Sequence, residues 1–181
     1  MKITEVITQN EPEVLQGTGY DPIKDEDPYH KDELKKTGFW GKQGAGVLFL
    51  AMHTGRIGLS LRSAAVEQPG TWGNVGGAIE KGADPESTAI QEASEETGYR
   101  QQPGDYVLPL DVFQQGTFRY TTFLFVVGTE FKTRGNWESD AFEWFSLDNL
   151  PQPLHFGITA TLAKPQCMQI IQTEIQKHQA G

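Results

Sequence analysis

The stretch from Trp72 to Tyr99 constrains this chain most, because it encodes a glycine loop followed by a helix whose two ends are written locally. The loop holds Gly73, Gly76 and Gly77. Asp84 is a good N-cap, and Pro85 suits the first helical position, where a missing N–H does no harm. Gly98 suits the left-handed residue that closes a helix. Between those caps Glu92, Glu95 and Glu96 are spaced three and four apart and share one face. Ala89, Ile90, Ala93 and Thr97 fall on another face, which can pack on a core.

The three carboxylates are badly placed if stability is the only goal. Like charges at i, i+4 repel by roughly 0.2–0.5 kcal/mol. Glu95 and Glu96 also lie in the last turn, at the negative end of the helix dipole, where an anion loses about 0.3–1 kcal/mol. A bound divalent cation would reverse both penalties. Hard carboxylate oxygens of this kind suit Mg²⁺, which also takes phosphate oxygens and keeps several waters. A plain solvated acidic face is the competing reading. The preceding glycine loop and the clean caps weigh against it.

The rest of the chain reads as a sheet around that unit. Gly46–Met52 is a nearly continuous apolar run, hence a central strand. His53-Thr54-Gly55 turns it into Arg56–Arg62, where Ile57, Leu59 and Leu61 alternate with polar residues and Gly58 weakens the strand. Ser63–Gly70 is a loop. Tyr106–Gln114 and Phe118–Val127 are strong strand signals joined by a turn at Gln115-Gly116. Phe142–Leu147 is a short strand, and Lys132–Asp140 ahead of it a polar loop. Thr159–Ala163 forms a turn that Pro165 interrupts. Cys167, Ile170, Ile171 and Ile175 then mark an amphipathic C-terminal helix. Strands, a helix, more strands and a final helix predict an α/β (α+β) fold: an α/β/α sandwich with a mixed β-sheet between helices.

Residues 1–42 differ. They are polar, acidic and broken by Pro12, Pro22 and Pro28, with a β-like Ile3–Thr8 and a short helix expected over Tyr29–Lys36. They read as an extension laid over the domain or used in a homodimer, anchored by Phe39 and Trp40, with residues 43–181 as the single domain.

The chain of 181 residues carries a formal net charge of −9, which argues against nonspecific nucleic-acid binding or attraction to an anionic membrane. It does not exclude a nucleotide substrate whose phosphates are screened by metal ions. The single cysteine, Cys167, excludes an internal disulfide and a Cys-based zinc site. No apolar run is long enough to span a bilayer, so a cytoplasmic protein is expected.

From Gly77 to Tyr99 the sequence resembles the box of the Nudix hydrolase superfamily. Gly77 is the opening glycine, and Glu92, Ala93, Glu95, Glu96, Gly98 and Tyr99 fill their positions at the right spacing. The flanks match too, from Ala45 through Trp72-Gly73 to Glu143-Trp144 and Leu147–Pro151. Two positions depart: Ala83 stands where the family has Glu, and Gln91 where it has Arg. In the family that pair braces loop against helix. Both partners are replaced together here, so no unpaired buried charge is left. Asn74-Val75 also replace the usual Leu-Pro, which touches the loop's shape and so the substrate fit.

The resemblance implies hydrolysis of a diphosphate bond in a nucleoside diphosphate linked to another group, with Mg²⁺ or Mn²⁺ as cofactor. By matched position, Glu92 and Glu96 are metal ligands, Glu95 a ligand or the base, and the Gly76 carbonyl a further ligand. Glu80 would help through water, with a loop solvent contact as the alternative. Glu138, in a later loop with Asp140, is a candidate base, with a plain solvated loop charge as the alternative. Arg62 is a candidate for a substrate phosphate, and Trp72, Phe113, Phe118 and Tyr120 for stacking on a base, with core packing as the alternative for each ring. His53, His155 and His178 lack any partner spacing and receive no role. The competing class is a nucleotide-binding sensor of the same fold with little turnover.

Overall fold

The computed structural model describes residues 43–179 apart from Arg134. The expectations for Ile3–Thr8, Tyr29–Lys36 and the extension lie outside the described residues. The strands are β1 (Gln43–Ala51), β2 (Arg56–Arg62), β3 (Trp72–Gly73), β4 (Val75–Ala78), β5 (Tyr106–Gln115), β6 (Phe118–Val127) and β7 (Ser139–Phe145). The helices are α1 (Pro85–Thr97), α2 (Phe156–Leu162) and α3 (Pro165–Gln179). The strands form one seven-stranded mixed sheet.

β1 is its spine, as the apolar run predicts. It pairs in parallel with β6 along its whole length, Gln43 opposite Arg119 through Ala51 opposite Val127. Both faces of β1 are covered, so both parities are apolar. Ala45, Val47, Phe49 and Ala51 point to the side of α1, where Ala89 and Ala93 meet them. Leu48 and Leu50 point to the side of α2 and α3, where Ile158, Cys167 and Ile171 meet them. The sheet is thus sandwiched between α1 on one face and the pair α2–α3 on the other, the architecture expected from the order of elements.

The second edge of β1 splits. Its end, Phe49–Ala51, pairs with β2, while its start, Gly44–Val47, pairs with β4. β2 is held on its other edge by β7, and near its own end by β3. The glycine loop fills the gap where β1 and β2 part, with β3 on one lip, β4 on the other and Asn74 between them. Gly58, a weak point in a strand pattern, has a local reason: a Cβ there would lie 2.5 Å from the Phe142 ring. That ring belongs to an aromatic cluster with Phe49, Phe131 and Trp144 under α1.

The caps of α1 are those expected. The Asp84 side chain accepts a hydrogen bond from the Ser87 N–H, and Gly98 closes the helix at φ 73°. Among the described residues no helix is long and apolar enough to cross a membrane.

Candidate active site

Two of the three box carboxylates turn inward. Glu96 is only 7% exposed, and its Oε1 accepts a hydrogen bond of 2.8 Å from the Gly76 N–H of β4. Glu92, one turn earlier, lies flat against Gly77: a Cβ on that glycine would stand 2.7 Å from the carboxylate carbon. A side chain at Gly77 would therefore displace the Glu92 carboxylate from the strand. Glu95 goes the other way. It is exposed, and the Gln91 amide donates to its Oε1 at 2.8 Å on the outer face of the helix. Gln91, which stands where the family's bracing Arg would be, is therefore engaged within the helix. Ala83 is exposed, and its N–H donates to the Glu80 carbonyl at 3.0 Å.

The electrostatics follow from this placement. Burial, then the charges of Glu95, Glu138 and Glu80, pushes the Glu92 carboxyl up to about 7 from an ordinary 4.5. Burial and the charge of Glu138 push Glu96 up to about 8, against the Gly76 hydrogen bond and Arg62, which favour its anion. Glu138 is half-buried just before β7. Burial raises it too, opposed by Arg62. Five acids therefore share one field, with Glu80 and Glu95 exposed at its rim. Arg62 is the cation whose charge reaches the group. It is itself tied to Glu67, with Nε donating to the Glu67 carbonyl at 2.6 Å.

The residues fit a divalent cation by chemistry: hard oxygen donors, crowded and desolvated, that gain from positive charge. Glu92 and Glu96 supply the inward pair. Among the described residues no three His, Cys, Asp or Glu side chains stand together as a ready ligand cluster, consistent with Glu95 being turned outward.

A cavity of about 130 Å³ lies beside Gly76 and Gly77, on the sheet face opposite α1. Arg62, Asn74, Phe113, Tyr120, His155 and Phe156 are among its walls. Phe113, Phe118 and Phe156 form an aromatic group there, with centroids 6.0–6.3 Å apart. Trp72 is not part of it. Its ring packs edge-on against Phe145 at 5.0 Å, against the core under α2 and α3, as the core-packing alternative for this ring has it. Its backbone instead positions a neighbour: the Trp72 carbonyl accepts the His155 N–H at 2.8 Å.

Sequence reasoning assigned His155 nothing, yet it caps α2 and lines the cavity. Its Nδ1 accepts the Gly157 N–H at 3.1 Å, and burial with Arg62 nearby holds the imidazole neutral, well below its usual range. The available signal was its place just ahead of Phe156-Gly157, an N-cap position. Tyr120 is half-buried among the same walls. Burial, then the charge of Glu96, raises its phenol and keeps the hydroxyl protonated.

This capped helix, with inward carboxylates facing a glycine strand in a split mixed sheet, is the architecture of one family. The NUDIX domain model matches residues 42–164, and the chain belongs to the Nudix family. A protein of Mycobacterium tuberculosis provisionally named 8-oxo-dGTP diphosphatase 3 is 32% identical over 133 residues, 68% of this chain. The chain matches 61% of the length of that relative. Among solved structures, the Nudix hydrolase RenU of M. smegmatis superposes with a TM-score of 0.58 at 25% identity, covering 76% of this chain and 89% of RenU. A MutT Nudix hydrolase from Burkholderia pseudomallei gives 0.56 at 23% identity, covering 69% of this chain and 98% of its own.

Proposed function

We propose that the protein hydrolyses a diphosphate bond in a nucleoside diphosphate linked to another moiety, with Mg²⁺ as the resident cation and Mn²⁺ as a substitute. The observation that carries this reading is the pair Glu92 and Glu96: two desolvated carboxylates a turn apart, raised to about 7 and about 8, at a glycine strand that borders a cavity. A structural carboxylate would be neutralised by a partner. These two face other acids, and Arg62 is already held by Glu67.

Glu92 and Glu96 would hold the cation, with the Gly76 carbonyl as a further donor and Glu95 joining from the rim. A divalent cation bound there would neutralise diphosphate charge and lower the pKa of an attacking water. The Gly76 N–H fixes one Glu96 oxygen and leaves the other free to coordinate. Glu138 would take the proton of the attacking water. Its burial raises its proton affinity, as a base needs. Arg62 would bind a phosphate oxygen, and Glu80 would act through water. The cavity would take the nucleoside, with its phenylalanines offering ring faces. The name of the tuberculosis relative supports a nucleoside triphosphate such as 8-oxo-dGTP as one substrate to try. We place the protein in the cytoplasm, with residues 1–42 as an extension that could join two copies.

The test is incubation with Mg²⁺ and a panel of dinucleotides, sugar nucleotides and nucleoside triphosphates, 8-oxo-dGTP included, with pyrophosphate and phosphate esters measured. Metal-dependent release from at least one is expected. Tight Mg²⁺-dependent binding of a nucleotide with no turnover of any would instead establish the sensor reading, which the departures at Ala83 and Gln91 favour.

A further inference from the structure

The cavity and the carboxylates lie on opposite faces of the sheet, and one side chain joins them. Tyr120 on β6 pairs with Gly44 on β1, and its side chain leans sideways over β1 instead of standing up from the sheet. A Cβ on Gly44 would lie 2.6 Å from its ring, and Cβ atoms on Gly46 and on Gly76 would both overlap its hydroxyl oxygen. The phenol therefore crosses from β6 over β1 to β4. It can lie there only because Gly44, Gly46 and Gly76 form a side-chain-free patch on that face. Gly46 and Gly76 are direct partners in the β1–β4 ladder, so the hydroxyl is seated over that pair. Asn74, at the bend between β3 and β4, donates its Nδ2–H to the hydroxyl over a long 3.4 Å. From the other face, the Gly76 N–H reaches Glu96.

We propose that Tyr120 is a positioning residue for the carboxylate site: its hydroxyl holds Asn74 and Gly76 at the place in the sheet from which the Gly76 N–H meets Glu96. Its ring is at the same time a wall of the cavity. An aromatic ligand resting there would press on the phenol that braces the loop, so occupancy of the cavity and the geometry at Glu96 are mechanically linked. This rests on the reading that Glu92 and Glu96 hold a divalent cation. It goes beyond that reading in assigning the orientation of Glu96 to a residue on the opposite face, outside the box.

The test is Mn²⁺ binding to the full chain, read from the electron paramagnetic resonance signal of free and bound Mn²⁺, with thermal melting in parallel. Tyr120→Phe keeps the ring and removes only the hydroxyl. Its Mn²⁺ affinity should fall about three- to ten-fold, the scale of one lost hydrogen-bonding group, with an altered bound-Mn²⁺ spectrum. Asn74→Ala, a loop substitution that leaves the packed ring alone, should give a smaller loss in the same direction. Tyr106→Phe is the control. Its phenol is bound to Glu174 at 2.6 Å on the side of α3, so it should lower the melting temperature and leave Mn²⁺ affinity unchanged. Wild-type Mn²⁺ affinity and spectrum in both Tyr120→Phe and Asn74→Ala would overturn the proposal, whatever happens to melting. A wild-type protein that binds no Mn²⁺ at all would overturn the cation assignment beneath it, a distinct result.

Discussion

Two glutamates lie buried on opposite sides of the sheet, and the protein treats them in opposite ways. Glu174 on α3 is 3% exposed and Glu96 on α1 is 7% exposed. For Glu174 burial works upward but is outweighed by Lys177, whose Nζ donates at 2.6 Å, and by the Tyr106 hydroxyl, also at 2.6 Å. Its carboxyl ends below its usual value. Glu96 has one backbone N–H and a field of further acids, and ends at about 8. A buried carboxylate that serves the fold is thus given a cation and a hydroxyl by its own chain. One left short of positive charge is costly to keep, and its cost is removed by a ligand that brings the charge.

Replacing each residue by glutamine separates the two roles most sharply. Glu96→Gln should lower metal-dependent hydrolysis by more than ~100-fold, beyond what loss of an outer-shell group costs, while far-ultraviolet circular dichroism stays native. Activity within a few-fold of wild type would remove Glu96 from the metal site.

pH gives the next largest effect. The folded, metal-free protein keeps protons on Glu92 and Glu96 up to about 7 and about 8, whereas the unfolded chain releases them near 4.5. Across that window the folded state binds more protons, so these two groups make stability fall as pH rises. Between about pH 6 and about pH 9 the loss should be on the order of 4 kcal/mol, and Mg²⁺ should restore it increasingly with pH. Urea melts at about pH 6 and about pH 9, with and without Mg²⁺, measure this. A metal effect independent of pH would dissolve the contrast with Glu174.

The sequence carried much of this because the information was local. The caps of α1 are set by Asp84, Pro85 and Gly98, and the inward stripe of Glu92 and Glu96 by helical spacing, so both were readable without knowing any partner. β1 and β6 were readable because a strand covered on both faces must be apolar at both parities. What stayed hidden depends on register between distant strands. Nothing near Trp72 says that its ring faces Phe145, and nothing near Tyr120 says that Gly44, Gly46 and Gly76 clear a path for it. The split edge of β1, with β3 and β4 inside a stretch that reads as loop, is hidden for the same reason. Glu95 shares the helical spacing of its neighbours, yet its outward turn is set by Gln91, a residue of the departed brace.

Glu174→Gln should act the other way round from Glu96→Gln. It keeps an acceptor for Tyr106 but loses the charge that Lys177 faces, so chemical denaturation should show a loss of about 1–2 kcal/mol. Hydrolysis at saturating Mg²⁺ should be unchanged. A selective loss of activity would mean that both buried acids belong to the reaction.

The smallest effect concerns Glu95, which stands between the two classes. It is exposed and held outward by Gln91, yet its charge still raises Glu92 and Glu138. Gln91→Arg alone would replace a neutral contact with an ion pair to Glu95, holding it more firmly on the outer face. Adding Ala83→Glu offers that arginine a second partner in the loop and releases Glu95 toward the inward pair. Both changes are near the surface, so stability should move by less than ~1 kcal/mol in either variant. Activity is the informative measurement. The double variant should exceed Gln91→Arg, because only there is the third carboxylate free to join Glu92 and Glu96. Equal activities in the two variants would assign Glu95 to the solvated face of the helix and leave the site with its inward pair alone.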